Sequence, residues 1–549
     1  MAKRVLMNVL LVGAALLACC CAVAALAAEE ARPDYAAGEF QFRAAFNNGG
    51  VDGEAARDFT AYLWVPPSSR KVRGVVLTQQ NVGEQAFVEH PAVRAACAKN
   101  DLAIVWCCPA LDLRFERDRE RAVRLQEEVL AKLGKVSGYD ELATAPWVTF
   151  GHSTTTTFAR NLAEARPERT IAILSAKGGI MLPQRERDRT PGVYSAGQFP
   201  EWRQPTHDWT THGASLPGLA KIRRALAERP RPVSYVEEYG GGHFDYSERY
   251  LNFLALYIDK AIRYRLNADG SVRPVGADEG YVVDMRPPLP TPPLAVVPFA
   301  EARGEARSAP WFFDRELAEA ASRLVGARDW KRRNQIVAFA NPDGTPAPFA
   351  KSGIVDPVPC EYAEDGVTIT RLETTFLERL PDNFAQAGMA FGHAADGERK
   401  VERISGVFAA EGGKYRVRLN RGYPHVPNFI AVRHPGDAEY RPSVQPGRFV
   451  PPTYSGRAQQ IDFARIPDQK VGTREVSLRA TSSAGLRVEF FVRSGPAKVA
   501  GDRLVLLSLP PRTRFPVEVT VVAWQLGRGG SADPVAAASP VERSFYLAP

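Results

Sequence analysis

From residue 33 to about 265, short apolar runs alternate with stretches whose apolar positions recur at helical spacing. Phe59–Val65 alternates apolar and polar positions and stops at Pro66-Pro67, the pattern of a strand. Val72–Thr78, Leu102–Cys107, Trp147–Phe150, Ile171–Leu174, Val193–Ser195 and Val233–Glu237 are brief and mostly apolar, as expected of strands buried on both faces. Helices are predicted between them over His90–Lys99, Arg114–Leu133, Thr156–Arg166, Leu216–Glu228 and Glu248–Arg265. This alternation predicts an α/β class for 33–265: a mainly parallel sheet with helices on both faces.

After 265 the pattern changes. The proline-rich run Asp284–Pro293 cannot be helical, so 266–309 reads as a linker or as a strap over the first domain. Residues 310–450 hold one helix candidate, Phe313–Val325, then short alternating segments such as Gly366–Arg371 and Tyr415–Leu419. A mixed, mostly β module is expected there. In 455–549, Gln459–Phe463, Glu475–Ala480, Leu486–Val492, Arg503–Leu507 and Val517–Ala523 are short strands separated by turn clusters such as Ser482-Ser483-Ala484-Gly485. That spacing predicts a β-sandwich. Its stretches Leu478–Leu486 and Phe490–Ala497 resemble bacterial immunoglobulin-like repeats, which speaks to fold and not to chemistry.

The first residues change the compartment. Lys3 and Arg4 precede an apolar run, and Ala25-Leu26-Ala27 supplies small residues where a signal peptidase cuts. Residues 1–27 are therefore expected to be a signal peptide and the protein to be exported, periplasmic or extracellular. Leu16-Leu17-Ala18-Cys19 also resembles a lipobox, which leaves a lipid anchor at Cys19 open as the one expected membrane contact. Beyond the leader only Cys97, Cys107, Cys108 and Cys360 remain, too few for a disulfide scaffold. One bridge, Cys97 to Cys107 or Cys108, is allowed but not required. The cysteines and histidines lack metal-site spacing, so no metal is expected. The net charge of +8 is spread over arginines that mostly lie near acids, a solvated surface and not a nucleic-acid track.

One segment carries a strong chemical signal. In Trp147-Val-Thr-Phe-Gly151-His152-Ser153-Thr154-Thr155 an apolar strand runs into a serine and then directly into a helix. A strand–turn–helix of this kind holds a serine hydroxyl off the sheet edge, with the next amide facing the same space. A serine at a helix start is otherwise an ordinary N-cap. A second motif, Glu238-Tyr239-Gly240-Gly241-Gly242-His243-Phe244, follows the apolar strand Val233–Glu237 and delivers one histidine on a glycine-rich loop. His152 on the elbow reads as structural, and His207 and His212 as pocket candidates.

The Gly-His-Ser elbow and the glycine-rich histidine loop resemble those of the α/β-hydrolase superfamily. The resemblance implies that Ser153 is the nucleophile and His243 the base. It also implies an acid between them in chain order, just past the strand that ends at Gly197. Glu201 stands there, with Asp208 as runner-up; Glu237 and Glu238 read as solvated residues at a strand end. An oxyanion hole would use the amide of Thr154 and a second amide from Gln80 or Asn81. The match departs at Thr155, where relatives carry glycine, so a slight shift of the helix is expected. No dinucleotide or phosphate loop is present in the sequence, and no cofactor is expected. The expected activity is serine-dependent hydrolysis of a carboxylic ester through an acyl-enzyme. Export and trailing β-domains suggest an acylated polysaccharide by analogy with other enzymes. The alternatives are a catalytically silent hydrolase fold that binds surfaces or glycans, and a serine peptidase. The oligomeric state cannot be read from the sequence.

Overall fold

The computed structural model describes residues 39–50, 55–111, 118–178, 190–199, 216–285, 294–325, 332–382, 386–390, 392–395, 397–530 and 532–549. The expected signal peptide, Glu201, Asp208, His207 and His212 lie outside these residues.

Eight strands form the first sheet: β1 Phe42–Asn47, β2 Asp58–Trp64, β3 Gly74–Gln79, β4 Leu102–Cys108, β5 Trp147–His152, β6 Thr170–Ala176, β7 Gly192–Phe199 and β8 Val233–Gly242. Their spatial order is β1-β2-β4-β3-β5-β6-β7-β8. β2 runs antiparallel to both its neighbours, and from β4 to β8 every pairing is parallel. This order, with one antiparallel strand near the β1 edge, is the α/β-hydrolase sheet. β3 to β6 are buried along their whole length, which is why they read as unbroken apolar runs.

Helices α1 Glu84–Glu89, α2 Pro91–Lys99, α3 Arg119–Ser137, α4 Thr156–Ala165, α5 Leu216–Glu228 and α6 Glu248–Arg265 connect or follow these strands. Phe87, Val93 and Cys97 of α1 and α2 share one core with Leu254 and Ile258 of α6, on one face of the sheet. Val123, Leu130 and Leu133 of α3 cover the other face with Phe158 and Leu162 of α4. Burial of these faces is the main stabilising term, roughly 25 cal/mol per Å² of apolar surface. α1 and β1 were not apparent as separate elements in the sequence pattern.

Residues 294–325 belong to the first of these cores. Strands Tyr281–Val283, Val296–Pro298 and Trp311–Phe312 form a small antiparallel sheet, and helix α7, Arg315–Val325, packs beside α6. Phe299, Trp311, Phe313 and Leu317 are buried with the α6 residues. The chain past the proline-rich run is thus a strap on the first sheet, and α7 lies with that sheet rather than with the β-rich region expected from 310.

Residues 332–450 carry two-, three- and four-stranded antiparallel sheets. Residues 461–548 carry a four-stranded sheet, a three-stranded sheet and a two-stranded ribbon, with Val519, Val521 and Phe545 buried between them. Cys97, Cys107, Cys108 and Cys360 are all free thiols, so the bridge that the sequence allowed does not form.

The last region is keyed to α3. Gly138 closes that helix in the left-handed conformation at φ +88°, and a Cβ there would collide with the Arg512 carbonyl. Arg512 donates to the Gly138 carbonyl at 3.0 Å and to Glu141, and the Arg514 amide donates to Ser137 O at 2.9 Å. Gly138→Ala is expected to lower the melting midpoint by roughly 1–4 °C, because it adds backbone strain and parts this contact. Differential scanning calorimetry of the full chain checks it.

Candidate active site

β3 pairs with β4 on one side and β5 on the other, so the sheet changes its direction of growth at β3. A crevice opens at the carboxyl ends of the strands at such a switch point. Ser153 lies there, directly after β5, and its φ is +54°. That conformation is rare for a side chain with a Cβ and costs on the order of 1–3 kcal/mol. The turn closes because Gly151 has no side chain: a Cβ at that position would collide with the Thr155 carbonyl. A short 3₁₀ turn, Ser153–Thr155, leads into α4. The first amides of such a turn have no partners within it.

His243 follows the last residue of β8 on the glycine-rich loop. Its Nε2 lies 3.0 Å from Ser153 Oγ, and the two residues are 90 apart in sequence. The structure therefore brings together the serine and histidine singled out in the sequence. Glu201 and Asp208 lie outside the described residues, so neither is placed.

Three buried groups hold this pair, and the sequence pattern gave little sign of them. His152, buried behind the elbow, donates from Nε2 to the His243 carbonyl at 2.9 Å. A carbonyl only accepts, so this nitrogen carries the proton. Burial pulls the His152 pKa down to about 4, which keeps the ring neutral. Lys177, at φ +57° just after β6, donates from Nζ to Gly242 O at 3.0 Å and to Glu238 Oε2 at 2.5 Å. Both side chains of that ion pair are fully buried. Despite the burial, Lys177 and the Ser247 hydroxyl hold the Glu238 carboxyl below its usual range. Glu238 is thus not a solvated strand end: β8 continues through Gly242 and carries it inward.

The third group explains Thr155. Phe87 of α1 stacks on Phe150 of β5 with ring centroids 3.7 Å apart, and this places the first residue of α1, Glu84, under the elbow. The Glu84 carboxylate accepts the His152 amide at 2.9 Å and the Thr155 hydroxyl. Thr155 is accommodated as a hydrogen-bonding partner of a buried acid, and its side chain needs no void. Burial pushes the Glu84 carboxyl up to about 7; the Thr155 hydroxyl, and then the amides of His152 and Asn81, pull it the other way.

Of the residues expected at the oxyanion loop, Gln80 gives its amide to Cys107 O at 2.7 Å. Asn81 reaches the elbow itself, donating from its side chain to His152 O at 2.9 Å. Among the described residues, no group of three or more His, Cys, Asp or Glu could hold a metal ion.

No family model matches the chain, and no curated protein matches it. Solved structures resemble part of the chain. The Staphylococcus aureus fluorophosphonate-binding serine hydrolase F is 10% identical, at TM-score 0.27, over 40% of this chain and 98% of that one. The siderophore hydrolase EstA of Aspergillus nidulans is 11% identical at TM-score 0.29, over 40% and 94%. The poly(3-hydroxybutyrate) depolymerase LpqC of Bordetella parapertussis is 17% identical at TM-score 0.28, over 43% and 91%. The fold is defined by the strand order of the first sheet.

The Glu84–Thr155 pair gives two expectations. Thr155→Gly restores the residue usual in this motif yet leaves a buried carboxyl short of a donor, so it should destabilise the protein by about 1–3 kcal/mol. Glu84 has a raised pKa in the folded state, so its contribution is complete below about 4.5 and is lost as pH rises through about 7. Thermal melting from pH 4.5 to 8 should therefore show a shallower decline in Glu84→Gln than in the wild type.

Proposed function

We propose that the chain is an exported serine hydrolase that cleaves carboxylic esters through an acyl-enzyme. The observation that carries this reading is the strained Ser153 within hydrogen-bond distance of His243 Nε2. In this reading Ser153 Oγ attacks the ester carbonyl while its proton passes to His243 Nε2. The Thr154 amide and the helix start hold the oxyanion. The second donor is proposed from Gln80 or Asn81; the Gln80 amide donates to Cys107 O and the Asn81 amide acts on the Glu84 carboxyl, so either would turn from its partner to serve. The carbon–oxygen bond of the tetrahedral intermediate breaks, and the alcohol leaves with the proton from His243. Water, deprotonated by the same histidine, then attacks the acyl-enzyme and frees the acid and Ser153.

Glu201 is the proposed acid that orients His243, ahead of Asp208, because it stands nearer the end of β7 where this motif places its acid. Acylated polysaccharide is the proposed substrate class, resting on the proposed leader and on the β-rich regions after the first sheet.

A fluorophosphonate probe on the purified mature protein is the direct test. Wild type should label, and Ser153→Ala should not. His243→Gln should slow labelling by roughly 10³-fold or more. Glu201→Gln should slow it far more than Asp208→Asn; the reverse order would reassign the acid. A well-folded wild type that does not label would sink the enzyme reading.

A further inference from the structure

His243 directly follows the three consecutive glycines that end β8, which offer no side chains to fix it. The residues after it are held by a different part of the chain. Phe244 stacks on Phe429, with ring centroids 4.8 Å apart and planes 8° from parallel. Asp245, fully buried, accepts from Arg433 Nη1 at 3.0 Å, and Arg433 Nη2 meets its other oxygen. Phe429 and Arg433 lie four residues apart on the strand Phe429–His434, so they project from one face. Arg433 is itself fixed from the next strand by Glu402, at 2.7 Å from its Nε. Before the histidine, Gly240 at φ +69° abuts Pro442, whose Cβ would lie 2.7 Å from any Cβ placed there. The same face also reaches the other side of the crevice: Val82, next to Asn81, is buried in one cluster with Phe244, Ile336, Leu377, Ile404 and Phe429.

We infer that the β-rich region 332–449 is part of the catalytic apparatus, with Phe429 and Arg433 as positioning residues that clamp the loop of the general base. This rests on the hydrolase reading of Ser153 and His243. The chemistry explains why a clamp is needed. The base must stay within hydrogen-bond reach of the serine, and a displacement of about 1 Å can cost on the order of 10² in rate. Phe429 fixes the loop through shape. Arg433 fixes it through charge and also neutralises a carboxylate two residues from the imidazole. A module that only anchored the enzyme to a polymer would have no reason to insert an arginine beneath the catalytic loop.

The test uses the full mature chain, a short p-nitrophenyl ester and the fluorophosphonate probe. Arg433→Gln and Phe429→Leu should fold, keep KM within about twofold and lose about tenfold or more in kcat. Arg433→Gln leaves the Asp245 charge uncompensated, which favours the protonated imidazole, so the acid limb of its pH–rate profile should move to higher pH. The groups around it (Glu402, Lys177 and Glu238) are unchanged, and the double variant Arg433→Gln/Asp245→Asn should bring the limb back. A change that merely loosened the fold would not move the limb and restore it. If Arg433→Gln does not fold, Phe429→Leu decides through its kcat and KM. Folded variants with wild-type kcat and pH profile overturn the clamp alone. A folded but unreactive wild type overturns the hydrolase reading and the clamp with it.

Discussion

The serine and the histidine come from strands that are three places apart in the sheet. Neighbouring strands lie about 4.8 Å apart, so β5 and β8 are some 14 Å apart in a regular sheet, and the glycine-rich end of β8 with His243 directly after it has to close that gap. Much of the surrounding architecture serves that closure. Lys177, at the end of β6, takes hold of the loop at the Gly242 carbonyl. His152, the last residue of β5, takes the His243 carbonyl. The end of β8 and His243 are therefore anchored from the ends of β6 and β5, and the imidazole is left to face the hydroxyl.

These anchors are costly. A lysine and a glutamate with no exposure, and a second glutamate beneath the elbow, each lose their hydration on folding. An apolar cluster of the same volume would pack with less loss, but it could not bond a main-chain carbonyl or amide. The buried charges sit where an unpaired backbone group of the elbow or the loop would otherwise be stranded. Two left-handed non-glycine residues, Ser153 and Lys177, fall in the same small volume. Strain and burial thus collect around a pair of atoms 3.0 Å apart.

The parts that were legible in the sequence are those with local signals. Apolar runs gave β3 to β8, and a serine between a strand and a helix, with a histidine after three glycines, marked the pair. Glu84 gave no such sign, because it opens a six-residue helix too short for periodicity to reveal. Glu238 looked like a solvated acid since the strand seemed to end before it, and only Lys177, 61 residues earlier, shows otherwise. Thr155 read as a defect in the motif for the same reason: its partner lies 71 residues away. Contacts of that range leave no trace in one sequence. Glu201 was singled out by the converse kind of signal, its place just past the strand that ends at Gly197 in the resemblance to the α/β-hydrolase superfamily.

The ion pair beneath the base loop joins residues 188 apart, Arg421 meets Glu39 across 382, and Arg43 meets Glu518 across 475. Each such closure spends chain entropy before any contact repays it, so the topology belongs to the slow end of folding. A growing chain that has produced all eight strands of the first sheet still lacks the strand that carries Phe429 and Arg433. Phe244 then has no Phe429 to stack on, and the face meant to receive Val519 and its neighbours is open to water. The first sheet is made early and finished late, and its surfaces are covered only after the last strands have closed on the first.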